Sequence, residues 1–319
     1  MRTRTLQLVE NSLHATDGTR VLLRGLIDYA GLFPPASLGM AAAVANYDAY
    51  LRSEHSWMLG RFIVPVVRLA EFEEAVGRLS PAQDEAAWSL SALPGPSPAA
   101  DLARIHESND RFAVSHSARR ARIESLEVKI ASAEEVERLS KLIPAELDTY
   151  FEIPWAGGAA FSGLRDCIMA VAHCGRRAKI RTGGETADKF PASEIVVEFI
   201  RLCAASSVAF KATAGLHHPV RSLHHLTYQP DSASAVMHGF LNVFLAAAFL
   251  RVGMDPRLAV ELLNEQSATA FHFDPDGLLW REHRLGLDDI SAARRDFAVS
   301  FGSCSFTEPV DDLRALGLL

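Results

Sequence analysis

The stretch AKIRTGGETADKFPASEIVVEFIRLCAASSVAFKATAG, residues 178–215, decides the fold. Its two ends, AKIRTGG and VAFKATAG, read as short strands that each run into a glycine turn. Between them, ASEIVVEFIRLCAAS repeats its apolar residues at helical spacing. A strand, a crossover helix and a second strand of the same kind form a βαβ unit, whose strands are parallel. Within the strands, charge alternates with apolar residues at period two. Lys179 and Arg181 share one face; Lys211 and Thr213 share another, with Phe210 and Ala212 opposite.

The same phrase recurs outward in both directions. Toward the N-terminus come LDTYFEIPW (147–155), then a Gly-rich loop and the helix GLRDCIMAVAHCG closed by Gly175. Before it lies SLEVKI (125–130), then the helix SAEEVERLSKLI, opened by a Ser cap with Glu three residues on. WSLSAL (88–93) precedes the loop PGPSPA and the helix DLARIHESN; RFIVPVV (61–67) precedes AEFEEAVGRL. The first candidate strand is 22–28, followed by the loop GLFPPAS and a helix over about 40–52. Toward the C-terminus, the strand of 208–219 enters a long loop, and a helix is expected over 233–252. MDPRLAVELLNEQ is a helix with Pro256 near its start. FHFDPDGLLW reads as a hairpin around Asp274-Pro275-Asp276-Gly277. The last stretch, from Ile290, reads as two helical pieces separated by a polar FGSCSF turn. Seven clear units and an irregular eighth, at roughly 25- to 30-residue spacing, predict one (β/α)8 barrel over 1–319 with a C-terminal extension from about 270. An open doubly wound sheet is the alternative.

Composition excludes several classes. The 319 residues carry a net charge of −7 and are 49% hydrophobic. That is enough for a large core, and it lacks the basic excess of a nucleic-acid binder. The basic run Arg119, Arg120 and Arg122 reads as a solvated helix end. FLNVFLAAAFL (240–250) is too short to span a bilayer and reads as a buried helix. The N-terminus lacks the apolar core of a signal peptide. Cys167, Cys174, Cys203 and Cys304 show no CxxC spacing, as expected of reduced thiols in a cytoplasmic protein. Cys304, in Ser303-Cys304-Ser305, is expected to be a packing residue, since no GxSxG elbow accompanies it. A homo-oligomer or a partner subunit is left open.

In a closed barrel, helices cover the outer face of every strand, so charges within strands must point inward. Glu127, Lys129, Glu152, Lys179, Arg181 and Lys211 are thereby delivered to one interior, with Asp28 as a third anion. The slight positive excess favours a small anionic substrate such as a phosphate or carboxylate. Thr182-Gly183-Gly184 and Gly215 end the sixth and seventh strands, where backbone N–H groups can meet an anion. The loop LHHPVRSLHHL adds His217, His218 and Arg221 as candidates for substrate contact or acid–base work. His224, His225 and His238 read as structural or exposed. The histidine spacing matches no zinc pattern, and neither metal nor cofactor is expected.

AKIRTGG and FKATAGL each place a lysine shortly before Thr and Gly. This resembles the class I, Schiff-base aldolases of the deoxyribose-phosphate aldolase type over about fifteen residues. The resemblance implies a barrel with two lysines on neighbouring late strands, Lys211 and Lys179, one the imine nucleophile and the other its electrostatic partner. A lysine flanked by cations would be partly neutral near pH 7. The leading expectation is thus an aldolase-like carbon–carbon lyase with Lys211 as nucleophile, Glu152 or Asp28 as base, and Lys129, Arg181, Thr213 and the glycine turns around the anion. The alternatives are a non-covalent acid–base lyase, isomerase or cyclase in the same site, and a non-catalytic binding subunit.

Overall fold

The computed structural model describes residues 15–79, 87–114, 121–155, 162–229 and 231–319. Residues 1–14, Arg119, Arg120 and most of the Gly-rich loop after Trp155 lie outside the described residues. The strands are β1 (Ile27–Tyr29), β2 (Leu59–Pro65), β3 (Trp88–Leu93), β4 (Ala121–Lys129), β5 (Asp148–Glu152), β6 (Arg177–Arg181), β7 (Phe210–Thr213), β8 (Ser222–His225), β9 (Ser234–Met237), β10 (Phe271–Asp274), β11 (Gly277–Trp280), β12 (His283–Gly286) and β13 (Ala298–Ser303). β1 to β7 and β13 close into a barrel of eight parallel strands, with β13 between β7 and β1. This is the (β/α)8 barrel. β8 and β9 form an antiparallel hairpin, and β10, β11 and β12 form a small antiparallel sheet.

The outward faces carry the apolar residues the alternation predicts. Leu126, Val128, Phe151, Ile180, Phe210 and Ala212 are all buried in one continuous core under the helices. The helix Phe240–Arg251 is buried from Phe240 through Leu250. A helix without a polar face belongs inside a layer. Its Asn242, fully buried, donates to the carbonyls of Leu262 and Glu265 and accepts the Arg221 amide, which anchors the start of the hairpin. Among the described residues, no helix is long and apolar enough to cross a membrane.

Four expectations are corrected. Residues 17–23 form a helix, Asp17–Leu23, in place of the start of the first strand. The Thr16 hydroxyl caps it by accepting the Thr19 amide at 3.2 Å, and Gly25 turns the chain at φ +57°, which leaves three residues for β1. The helix expected over 233–252 begins only at Phe240, because Ser234–Met237 alternates exposed and buried residues and pairs with β8. Arg122 lies within β4, not at a helix end.

The fourth correction is the largest. FGSCSF is no turn: Ala298–Ser303 is the strand that closes the barrel, and Thr307–Ala315 is its helix. The region beyond 270 therefore completes the barrel, with β10 to β12 inserted before the closing strand. Its polar character has a physical cause. Ser300 donates to Asp28 at 2.7 Å within the barrel, and Gly302 faces Thr213 and Ile63, so this strand's inner face is small and polar.

Candidate active site

Strand register brings the interior charges level. Lys129 lies beside Glu152, Glu152 beside Lys179, and Lys179 beside Lys211. Two lysines side by side on one face of a buried sheet would repel each other without a shared counter-ion. Glu127 supplies it: Oε2 meets Lys179 Nζ at 2.7 Å and Oε1 meets Lys211 Nζ at 2.5 Å. Lys179 also meets Glu152 at 2.7 Å, and Lys211 also meets Asp28 at 2.5 Å. The chain Asp28–Lys211–Glu127–Lys179–Glu152 thus crosses the barrel with carboxylates and ammoniums in strict alternation. The hydroxyls of Ser91 and Ser300 donate into it, to Glu127 and Asp28.

The two ends of this chain differ in access. Glu152 and Lys179 line a cavity of about 620 Å³ at the C-terminal mouth, where barrel enzymes place their active sites. Lys129, Arg181, Lys189, Thr213, Gly184, Gly215 and His217 line the same cavity. Arg181 approaches Glu152 to 3.9 Å. The charged lining comprises the cations Lys129, Lys179, Arg181 and Lys189 against the carboxylates Glu127, Glu152 and Glu185. A larger cavity of about 860 Å³ lies at the opposite end of the strands, where Arg61 is already engaged by Asp148 at 3.4 Å.

Lys211 and Asp28 lie outside the cavity lining. Lys211 is 0% exposed and stands 5.3 Å from the Tyr150 ring centroid. Burial pushes its ammonium toward neutrality, but Asp28 and Glu127 outweigh burial and hold it above the ordinary lysine range. The expected depressed lysine is therefore corrected: the groups touching Lys211 are carboxylates. Asp28 is also committed. Its Oδ1 accepts the Arg61 amide at 2.7 Å, and its Oδ2 accepts from Lys211 and Ser300. Gly60 has no side chain because a Cβ there would lie 2.3 Å from Asp28 Oδ1.

Other candidates take structural places. Thr182 is fully buried and donates to the Ala214 carbonyl at 2.8 Å, outside the mouth-cavity lining. Gly183 and Gly215 pack backbone to backbone: a Cβ on Gly183 would lie 2.8 Å from the Gly215 Cα, and Gly215 adopts φ +71°. This contact joins the loops after β6 and β7. His218 is paired with Asp312 at 2.6 Å and stacked on His224, facing a side pocket of about 350 Å³. Arg221 contacts His238 at 3.0 Å outside the mouth cavity. His238 is buried, with Nε2 on the Pro191 carbonyl, and burial pushes it down to about 4. Among the described residues, no group of three or more His, Cys, Asp or Glu is arranged to hold a metal ion.

Cys304 is the residue whose setting the sequence hid. It follows β13 directly and lines the mouth cavity, with Sγ 3.9 Å from His217 Nδ1 and 3.6 Å from the Tyr228 hydroxyl. His217 also meets Glu308 Oε2 at 3.2 Å. Burial pushes this imidazole down, but its bonds to Cys304 and Glu308 outweigh burial and hold it up to about 10. A raised imidazole stabilises the fold in its charged form. That contribution is full below its ordinary value of 6.5 and is lost as pH rises through about 10. The stability difference between the native chain and His217→Gln, from urea denaturation, is expected to shrink steadily across this window. A constant difference would show that the imidazolium contributes nothing.

A position just past the end of a barrel strand is a usual place for a reactive side chain, so reading β13 as a strand would have singled out Cys304. Comparison with protein-family models, curated proteins and solved structures finds no match to this chain, and its chemistry is read from its own residues.

Proposed function

We propose that the mouth cavity binds a small anionic carbonyl compound and moves a proton at the carbon next to its carbonyl, as in a non-covalent acid–base lyase, isomerase or cyclase. The observation that carries this reading is the Glu152–Lys179 pair lining a cavity whose rim is cationic. Glu152 Oε2 is held by Lys179, while Oε1 has Arg181 at 3.9 Å, beyond hydrogen-bond length. Oε1 is the oxygen positioned to take a proton. The Lys179 ammonium, fixed between two carboxylates, is placed to stabilise the enolate oxygen that develops. Lys129, Arg181 and Lys189 attract the anionic group. Such preorganised charges act strongly on a developing anion.

The imine route is the less supported reading. An imine needs a neutral amine with a free lone pair, and Lys211 is fully buried between two carboxylates.

One experiment separates the routes. The full chain is incubated in D2O with a panel of keto acids and carbonyl phosphates, and loss of the α-proton signal is followed by NMR. Parallel samples are reduced with borohydride and analysed by intact mass. The expected result is α-proton exchange with at least one compound and no reduced adduct. An adduct on Lys211 or Lys179 would restore the aldolase reading. Neither exchange nor adduct, from a folded sample, would favour a binding subunit.

A further inference from the structure

The Cys304 thiol is met by groups from separate parts of the chain. His217 comes from the segment after β7 and Tyr228 from the turn of the β8–β9 hairpin, and Glu308, from the helix after β13, meets both of them. The Ala36 amide, from the loop after β1, also faces the sulfur. His218 borders the group, with its own carboxylate Asp312 and a 4.0 Å approach to Glu308. A cysteine that serves only packing has other company. Cys203 is fully enclosed, and burial pushes its thiol well up; Cys167 is pushed up in the same way. At Cys304 burial acts in that direction too, but the hydrogen bond and charge of His217 outweigh it and hold the thiol below its ordinary range. Glu308 Oε2 meets the same His217 nitrogen, Nδ1, that faces the sulfur, so one N–H is shared between carboxylate and thiolate; the Tyr228 hydroxyl donates to that Glu308 oxygen at 3.4 Å. A sulfur beside an imidazole that a carboxylate keeps charged has the ion pairing of an activated thiol.

We propose that Cys304 is a nucleophilic thiolate, paired with the His217 imidazolium, that adds reversibly to the carbonyl carbon of an anionic aldehyde or keto compound held at the barrel mouth. This rests on the substrate class proposed above. The sulfur lone pair forms the S–C bond, the C=O π pair moves onto oxygen, and that oxygen takes the His217 proton. The product is a thiohemiacetal. Nothing is oxidised and no group leaves, and the reverse step restores thiolate and imidazolium. Lys129, Arg181 and Lys189 share the cavity with Cys304, so anionic electrophiles are favoured over neutral ones.

Alkylation of the full chain tests the thiolate without any substrate. Iodoacetate and iodoacetamide are compared between about pH 6 and pH 8.5, with each cysteine followed by peptide mapping. The thiolate displaces iodide, forming S–C as C–I breaks. An ordinary thiol gains more than about a hundredfold in rate over this range, because its thiolate fraction does. Cys304 is expected to gain less than about tenfold, to react faster with iodoacetate than with iodoacetamide, and to outpace Cys167 and Cys203. Arg181→Gln is expected to slow iodoacetate more than iodoacetamide and so reduce the iodoacetate preference. His217→Gln is expected to restore the steep pH profile; the native profile stands as evidence even if that variant fails to fold. A native Cys304 that is inert, or that follows the ordinary steep profile, overturns the proposal. Compounds that give α-proton exchange are expected to protect Cys304 from iodoacetate. Fast alkylation without such protection overturns the addition step, whereas α-proton exchange that persists in Cys304→Ser leaves the Glu152 reading intact.

Discussion

Glu127→Gln is expected to lower the stability of the fold by about 3–5 kcal/mol, measured by urea denaturation at neutral pH. Each oxygen of this carboxylate serves one ammonium: Oε1 serves Lys211 and Oε2 serves Lys179. A glutamine keeps the shape but replaces one acceptor with an NH2 donor. That donor must face a buried ammonium. Burial pushes the Glu127 carboxyl up, but Lys179 and Lys211 outweigh it and hold it well below its ordinary 4.5. A carboxylate depressed on folding stabilises the chain in full above its ordinary value, and the contribution is lost as pH falls below it toward the folded value. The gap between the native chain and Glu127→Gln is therefore widest at neutral pH and narrows below about 4.5. A loss under about 1 kcal/mol at neutral pH would mean that the ion-pair chain is weakly coupled to folding.

Glu152→Gln is expected to slow α-proton exchange by about 10²- to 10⁴-fold, the usual contribution of a positioned general base. Its cost in stability is expected to be smaller than that of Glu127→Gln, because Lys179 keeps Glu127 as a partner, whereas Glu127 serves two ammoniums at once. The two variants thus separate structure from chemistry. Glu127→Gln acts mainly on the unfolding midpoint, and Glu152→Gln acts mainly on turnover of a chain that still unfolds cooperatively. An exchange rate in Glu152→Gln within about threefold of native would move the base elsewhere in the mouth.

The ion-pair chain also makes sense of the closing strand. Asp28 and Ser300 meet where β1 joins β13, and Lys211 reaches them from β7. A barrel interior filled with apolar side chains would need no such contacts. Here polar groups fill it, and each must find its partner for the barrel to close.

The barrel and its polar interior were legible in the sequence because they rest on local rules. Period-two alternation in SLEVKI, YFE, AKIR and FKAT, with helical spacing between them, is read from near neighbours alone. It assigned Glu127, Lys129, Glu152, Lys179, Arg181 and Lys211 to the inside, and the contacts and cavity lining agree for all six. Where the local signal failed, the cause was physical. β13 pairs on both sides with strands far away in sequence, and its inward residues are small and polar, so it carries no apolar run to announce it. Partnership was decided only by tertiary structure. Lys211 meets Asp28 across 183 positions, and Cys304 meets His217 across 87. The charge state of a buried group depends on which partner lies within a few ångströms, and chain closure sets that distance. Lys211 is for that reason an ammonium beneath the cavity, and Cys304 stands against an imidazole at its edge.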